Sequence, residues 1–140
     1  MDINQFKVCE DCLCFAARRV ARAVTQRYDR SLRPSGLRAT QFTILVLLIL
    51  GGKVPVSQLA ANLGVERTTL TRNLRPLIAR DFVRSDGGSD KRVRVVEITE
   101  QGIAAAENAL PYWQKAQLEL TSKVGTAALK SFEQIQSSAS

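Results

Sequence analysis

The sequence predicts a single, mainly α-helical domain with one β-hairpin. Apolar residues recur at three- and four-residue spacing over most of the chain, and glycine and proline divide this pattern into separate helices. Strand-forming residues occupy two short segments between positions 82 and 98. With 140 residues, of which 45% are hydrophobic and 24% charged, the chain has the size and composition of one globular domain, residues 1–140.

Two helices precede the centre of the chain. The first covers residues 6–28, whose apolar stripe consists of Phe6, Cys9, Leu13, Ala16, Val20 and Val24. Pro34 and Gly36 end it. Residues 40–50 form a second helix that is so apolar, above all over Ile44 to Leu50, that we expect it to be buried nearly all round.

Two shorter helices follow, separated by a tight turn. Pro55 suits the first turn of the third helix, which ends at Gly64. The fourth helix covers residues 66–80, and its inner face carries Leu70, Leu74, Leu77 and Ile78. We expect Pro76 to kink or loosen this helix.

A hairpin and two further helices complete the chain. Residues 82–84 and 93–98 are predicted strands, joined by a tip that contains Gly87 and Gly88. Thr99 is placed to cap a fifth helix, which Pro111 is expected to kink. A sixth helix carries apolar residues up to Ile135, and we expect residues 137–140 to fray because they have nothing to bury.

This order of elements is that of a winged helix-turn-helix with a two-stranded β-wing. On a helical wheel, Thr68, Arg72 and Arg75 lie opposite the buried leucines of the fourth helix. That outward face therefore presents hydrogen-bond donors and no acid.

The positive charge is concentrated around this unit. The chain has 20 basic against 13 acidic residues, a net charge of +7, and 14 of the basic residues are arginine. Residues 66–95 have eight bases and four acids, a net charge of +4, whereas residues 96–140 have three bases and five acids, a net charge of −2. Because arginine suits contacts with phosphate and guanine, we expect double-stranded DNA as the partner.

Composition excludes several other classes. The absence of histidine excludes Ser-His-Asp catalysis and imidazole metal sites, and the chain shows no phosphate loop or paired catalytic carboxylates, so we expect no enzyme, no cofactor and no metal. Three cysteines within six residues form no disulfide framework, which favours a reducing cytoplasm. The longest apolar run, seven residues over 44–50, predicts no membrane span.

Several segments resemble the MarR family of bacterial transcription regulators. They are Leu59-Ala60, Leu63-Gly64-Val65, Arg67-Thr68-Thr69-Leu70-Thr71-Arg72, Asp90-Lys91-Arg92 and Ile98-Thr99-Glu100-Gln101-Gly102. The resemblance covers nearly the whole chain. It implies a homodimer formed by residues 1–33 and 100–136, whose winged-helix lobes, residues 37–99, read a pseudo-palindromic operator.

The resemblance also assigns contacts. The candidates for the major groove are Thr68, Thr69, Thr71, Arg72 and Arg75. Arg92 would enter the minor groove, oriented by Asp90. Three further residues would contact phosphates: Arg67, Lys91 and Arg94. The chain departs from the family at the starts of the second and fourth helices, where Arg38 replaces a threonine cap and Glu66 a short polar cap.

The cysteines and four aromatic residues leave alternatives open. Three interpretations are open for Cys9, Cys12 and Cys14. They pack as small hydrophobes at a dimer interface, they act as a thiol-based sensor, or they bind a metal or arsenite. Two interpretations are open for four aromatic residues, Phe15, Tyr28, Tyr112 and Trp113. The favoured one is that they pack in the core, and the other is that they line an effector pocket of the kind the family often has.

The expected function is that of a homodimeric repressor which leaves its operator when a small-molecule effector binds or a thiol is oxidised. The alternative is a winged-helix module that binds another protein and no specific DNA. The acid-free outward face of the fourth helix argues against the alternative.

Overall fold

A computed structural model of the protein describes residues 1–86 and 94–140. Over these residues the chain forms an N-terminal 3-10 helix Ile3–Asp11, α1 Leu13–Leu32, a 3-10 turn Arg33–Ser35, α2 Ala39–Gly51, β1 Val54–Pro55, α3 Val56–Leu63, α4 Arg67–Ala79, β2 Val83–Asp86, β3 Val95–Ile98, α5 Glu100–Val124 and α6 Ala127–Ala139. The predicted winged helix-turn-helix flanked by terminal helices is confirmed.

The sheet has one strand more than the sequence predicted. Its order is β1-β3-β2, and both pairings are antiparallel. Val96 of β3 lies opposite Val54 on one side and opposite Ser85 on the other. The two-stranded wing is confirmed as β2 and β3. The additional strand β1 was not predicted, because it has only two residues and is too short to show a strand pattern.

The first helix also differs from its prediction. Instead of one helix over residues 6–28, a 3-10 helix ends at Asp11 and α1 starts at Leu13. Cys12 between them has an extended backbone, with φ −67° and ψ 115°. Glu10 and Asp11 are the last two residues of the 3-10 helix, and only Cys12 separates them from the start of α1. At its other end α1 continues to Leu32, past the predicted end at Tyr28.

The core lies within the winged-helix lobe and the parts of α1 and α5 that touch it. Its large, fully buried side chains include Leu32, Ile44, Leu45, Leu48, Leu59, Leu70, Leu77, Val83 and Val96. The expectation that residues 44–50 are all core is wrong, because Ile49 and Leu50 are 43% and 79% exposed. Leu50 lies seven residues after the exposed Thr43, on the face of α2 that turns away from the core.

The start of α5 is fixed to the base of the wing. Thr99 caps α5 as predicted, its Oγ1 accepting from the Gly102 amide at 3.0 Å, and the same hydroxyl donates to the Asp81 carbonyl at 2.5 Å. A Cβ at Gly102 would lie 2.1 Å from the Phe82 carbonyl oxygen. Only glycine therefore allows this close approach of α5 to the chain entering β2.

The last helix is longer than expected. Residues 137–139 were predicted to fray, but α6 continues to Ala139. The hydroxyls of Ser137 and Ser138 donate to the Gln134 carbonyl at 3.1 and 2.7 Å, which satisfies one of the carbonyls near the end of the helix.

Among the described residues, no single helix combines the length and hydropathy of a membrane span. Leu13–Ser35 and Ala39–Gly51 reach these values only as a pair that bends by 76° between them. The second member of the pair is α2, whose Phe42, Ile44, Leu45 and Leu48 are buried in the core.

Candidate nucleic-acid interface

The outer face of α4 carries most of the predicted base-reading side chains. Thr68, Thr69, Arg72 and Arg75 are all exposed, whereas Leu70, Leu74 and Leu77 are buried beneath them. Thr71 is half-buried, and its hydroxyl donates to the Arg67 carbonyl at 2.9 Å. Four of the five predicted major-groove residues thus project together from one helix face, and the fifth turns its hydroxyl back to its own helix.

The turn before α4 sets the direction of that face. Gly64 adopts a left-handed φ of 67°, and the Val65 amide donates to the Ala60 carbonyl at 3.1 Å, which closes the end of α3. Glu66 then stands at the N-cap of α4, but its side chain makes no cap hydrogen bond. Its exposed carboxylate is therefore a negative charge at the end of the helix that the family resemblance directs toward DNA.

The start of α2 has a different cap from the one that the family pattern predicts. Arg38 stands at the N-cap and offers only its backbone, whose amide donates to Gln41 Oε1 at 3.0 Å. Asp29, ten residues earlier on α1, supplies the acceptor: its Oδ1 accepts from the Ala39 amide at 2.7 Å. This contact between α1 and α2 was missed from the sequence, since no local motif signals it.

The base of the wing is held by side-chain contacts. Arg94, a predicted phosphate contact, is half-buried, and its Nε donates to Ser85 Oγ at 2.7 Å. Arg84 Nε lies 3.3 Å from Glu97 Oε1 across β2 and β3. The predicted wing-tip residues Asp90, Lys91 and Arg92 lie outside the described residues.

Residues 37–93 match the model of the MarR family. The M. tuberculosis transcriptional regulator MosR, solved in complex with DNA, is 42% identical to this chain. The two superpose with a TM-score of 0.84 over 92% of this chain and 96% of MosR. The chain belongs to the MarR family. A second structure of MosR gives 40% identity and a TM-score of 0.83 over 94% of this chain and 97% of that one.

Among curated relatives, the Bacillus subtilis HTH-type transcriptional regulator YwoH is 30% identical over 81 residues. That match covers 58% of this chain and 59% of YwoH, so this chain spans less than two thirds of that relative's length. The resemblance drawn from the sequence motifs is nonetheless confirmed by the structural neighbours.

The cysteines of this MarR-family chain do not share one helix, contrary to the sequence prediction. Cys9 belongs to the 3-10 helix, Cys12 to the extended break and Cys14 to α1, and all three are exposed free thiols. In the described part of the chain, no three metal-ligating side chains of cysteine, aspartate or glutamate cluster.

Three of the four aromatic residues pack where α1, α2 and α5 meet. The Trp113 ring lies 6.5 Å from that of Tyr28 and 6.0 Å from that of Phe42, and burial raises the pKa of Tyr28 above its ordinary value of 10.0. Tyr112 packs against the core, whereas Phe15 is exposed beneath Arg19. Trp113, Phe42 and Leu110 also line an apolar cavity of about 250 Å³.

The two ends of the chain carry a large exposed apolar surface. Its side chains are at least one third exposed: Ile3, Phe6, Val8, Leu13, Phe15, Val20, Val24, Leu118, Val124, Leu129, Phe132 and Ile135. Between α1 and α6 these residues border an apolar groove of about 480 Å³, lined by Leu13, Val20, Phe132 and Ile135 among others. Large exposed apolar patches on soluble proteins commonly mark sites of interaction with another chain.

Proposed function

We propose that this MarR-family chain is a sequence-specific DNA-binding transcription regulator that acts as a homodimeric repressor in the cytoplasm and has no enzymatic activity. The observation that carries the proposal is the outer face of α4, where Thr68, Thr69, Arg72 and Arg75 are exposed together. No acid lies within α4. A helix with such a face reads base edges in the major groove.

The contacts divide by chemistry. Arg72 and Arg75 have the donor geometry for guanine, and Thr68 and Thr69 add short hydroxyl donors. Arg67 and Arg94 lie at the start of α4 and on the wing, where they would hold phosphates. By the family resemblance, Arg92 and Asp90 would reach the minor groove and Lys91 a phosphate.

The homodimer is supported by the apolar surface at the two ends of the chain, within residues 1–33 and 100–136. A second copy would cover side chains such as Val20, Leu118 and Phe132, which the single chain leaves at least 41% exposed. A two-fold dimer presents two α4 helices to two half-sites, so the operator would be pseudo-palindromic double-stranded DNA.

Release would follow from a change in the spacing of the two α4 helices. Two features lie where a signal would act on that spacing: the cavity beside Trp113, between α2 and α5, and the exposed thiols of Cys9, Cys12 and Cys14 at the start of α1. An effector or an oxidant releases DNA if it favours a dimer whose two α4 helices no longer match the spacing of the two half-sites. Such a population shift needs about 1–3 kcal/mol of coupling between the signal and DNA binding.

The direct test is fluorescence anisotropy of the reduced protein on DNA from immediately upstream of its own gene, against a scrambled duplex, over a salt series. We expect tight binding at moderate salt with a clear preference for the upstream DNA. Arg72→Ala should weaken binding by about 1–3 kcal/mol and relax preference at one base position.

The matched control is Arg22→Ala, which removes an exposed arginine from α1. It should leave the preference for upstream DNA intact. Equal, steeply salt-dependent binding of the wild type to both duplexes would contradict specific recognition and favour the alternative of a winged-helix module that binds another protein.

A further inference from the structure

An arginine-rich cavity lies at the corner where α1 turns into α2. Its volume is about 560 Å³, and its walls include Arg30, Arg33 and Arg38 together with Asp29. This volume is in the range of small-molecule sites. All three arginines are exposed, and none belongs to α4 or to the wing, the elements that carry the proposed reading of DNA.

The backbone that carries these arginines is fixed by hydrogen bonds. The Ser35 hydroxyl donates to the Leu32 carbonyl at 2.6 Å and accepts from the Leu37 amide at 3.2 Å. Gly36, with a φ of 76°, donates its amide to the Arg33 carbonyl at 3.0 Å. The corner is therefore an ordered turn that holds Arg33 in a constant place relative to α2.

The cavity has an excess of positive charge. Its carboxylate, Asp29, already accepts the Ala39 amide at 2.7 Å as the cap of α2. Within the described residues, the guanidinium groups of Arg30, Arg33 and Arg38 form no ion pair. Like charges that line one cavity repel one another, and a bound anion would relieve that repulsion.

A fourth guanidinium, that of Arg80 at the C-cap of α4, borders the site. Arg80, directly after that helix, donates from Nη1 to the carbonyl of Gly36 at 2.9 Å, and Gly36 is part of the cavity wall. Arg80 also lies over the Phe82 ring, 4.5 Å from its centroid. The cavity is thus connected to the C-terminal end of α4 by one side chain.

We propose that this corner is a binding site for a phosphate group. Guanidinium forks match phosphate oxygens, and one phosphate can be shared by several of these arginines. The phosphate belongs either to the DNA backbone or to a free phosphorylated small molecule. The first source rests on the function proposed above, and the second does not depend on that function.

The test compares two double variants. Arg33→Gln with Arg38→Gln removes two charges from the cavity, and Arg18→Gln with Arg22→Gln removes two from exposed positions on α1 outside it. Inorganic pyrophosphate is titrated without DNA, at ionic strength held constant with chloride, while thermal unfolding is followed. Separately, the salt dependence of affinity for the upstream duplex is measured for each protein.

If the source is a free phosphate, pyrophosphate raises the melting temperature of the wild type and of the α1 variant, and the apparent Kd of the cavity variant is at least tenfold weaker. If the source is DNA, the cavity variant makes the slope of log K against log salt shallower by about 0.9 for each phosphate that the corner no longer neutralises. For a dimer this change is about 1.8. The α1 variant leaves the slope unchanged.

Equal behaviour of the two variants in both measurements would overturn the proposal. Failure of the wild type to bind DNA specifically would refute the proposed function instead, and the pyrophosphate titration would still decide whether the corner binds phosphate. The melting temperatures without ligand show that each variant is folded.

Discussion

Leu45 and Phe132 are both large apolar side chains on helices, yet Leu45 is fully buried and Phe132 is 50% exposed. The difference extends to the regions around them. The winged-helix lobe packs its leucines around α2, α3 and α4, whereas the N-terminal 3-10 helix and α6 contribute no buried residue. The lobe therefore completes its core within one chain, and the ends are left with surface that a second chain would cover.

The largest effect should come from the core of the lobe. Leu45→Ala removes a side chain that is 0% exposed, so it should lower the free energy of unfolding by about 2–5 kcal/mol. Urea unfolding at two protein concentrations measures this loss, and we expect the same loss at both. A loss that depends strongly on concentration would mean that the lobe does not complete its own core.

The second-largest loss of stability is expected at the junction between the lobe and α5. Gly102→Ala places a methyl group 2.1 Å from the Phe82 carbonyl oxygen, and we expect it to lower the free energy of unfolding by about 1–3 kcal/mol. The control is Gly51→Ala at the end of α2, where an added Cβ meets nothing within 4 Å. If thermal melts of the two variants were alike, the close contact between α5 and the wing would be refuted.

At the ends of the chain, a change should affect association rather than folding. Phe132→Asp puts a charge into the apolar groove beside α1, and we expect the dimer Kd to rise at least tenfold, about 1.4 kcal/mol, with an unchanged helical signal. Sedimentation measures the Kd. Ser131→Asp adds the same charge one position earlier on exposed α6, and an equal effect there would refute the groove as the interface.

Oxidation tests whether the ends control the lobe. Diamide should release DNA from the wild type, because the thiols of Cys9, Cys12 and Cys14 are exposed at the start of α1. Anisotropy should detect no release from the triple variant Cys9→Ser, Cys12→Ser, Cys14→Ser. If both proteins release DNA equally, the cysteines are not the sensor.

The smallest effect is expected for Tyr28, which lies on α1 where that helix meets α5. It concerns the loss of stability at alkaline pH. Burial raises the pKa of Tyr28 above 10.0, so the folded state favours the neutral phenol. This contribution to stability is fully present below pH 10.0 and is lost as the pH rises through the higher pKa of the folded state. Tyr28→Phe should remove that part of the alkaline loss, as measured by urea unfolding at increasing pH; an unchanged profile would contradict it.

The lobe was also the region that the sequence predicted best. Gly64 and the spacing of Leu70, Leu74 and Leu77 are local signals, and they place α3, the turn and α4 within a residue or two of their observed bounds. The outer face of α4 follows from the same periodicity, since residues opposite a buried stripe must be exposed.

What the sequence did not predict depends on contacts between distant residues. The Asp29 cap of α2 joins two helices, and β1 exists only because Val54 and Pro55 pair with β3. The break at Cys12 falls inside an apolar periodicity that continues across it. Such features come from tertiary packing, which a pattern along the chain does not record.

The central proposal is that the winged-helix lobe binds DNA while the two ends of the chain form the dimer. The most direct test is the mass of the protein–DNA complex on one upstream duplex. Sedimentation measures this mass for the wild type and for Phe132→Asp. We expect two wild-type chains on each duplex, and far weaker binding by the variant at the same chain concentration. One chain on each duplex, with equal affinity for wild type and variant, would contradict the account.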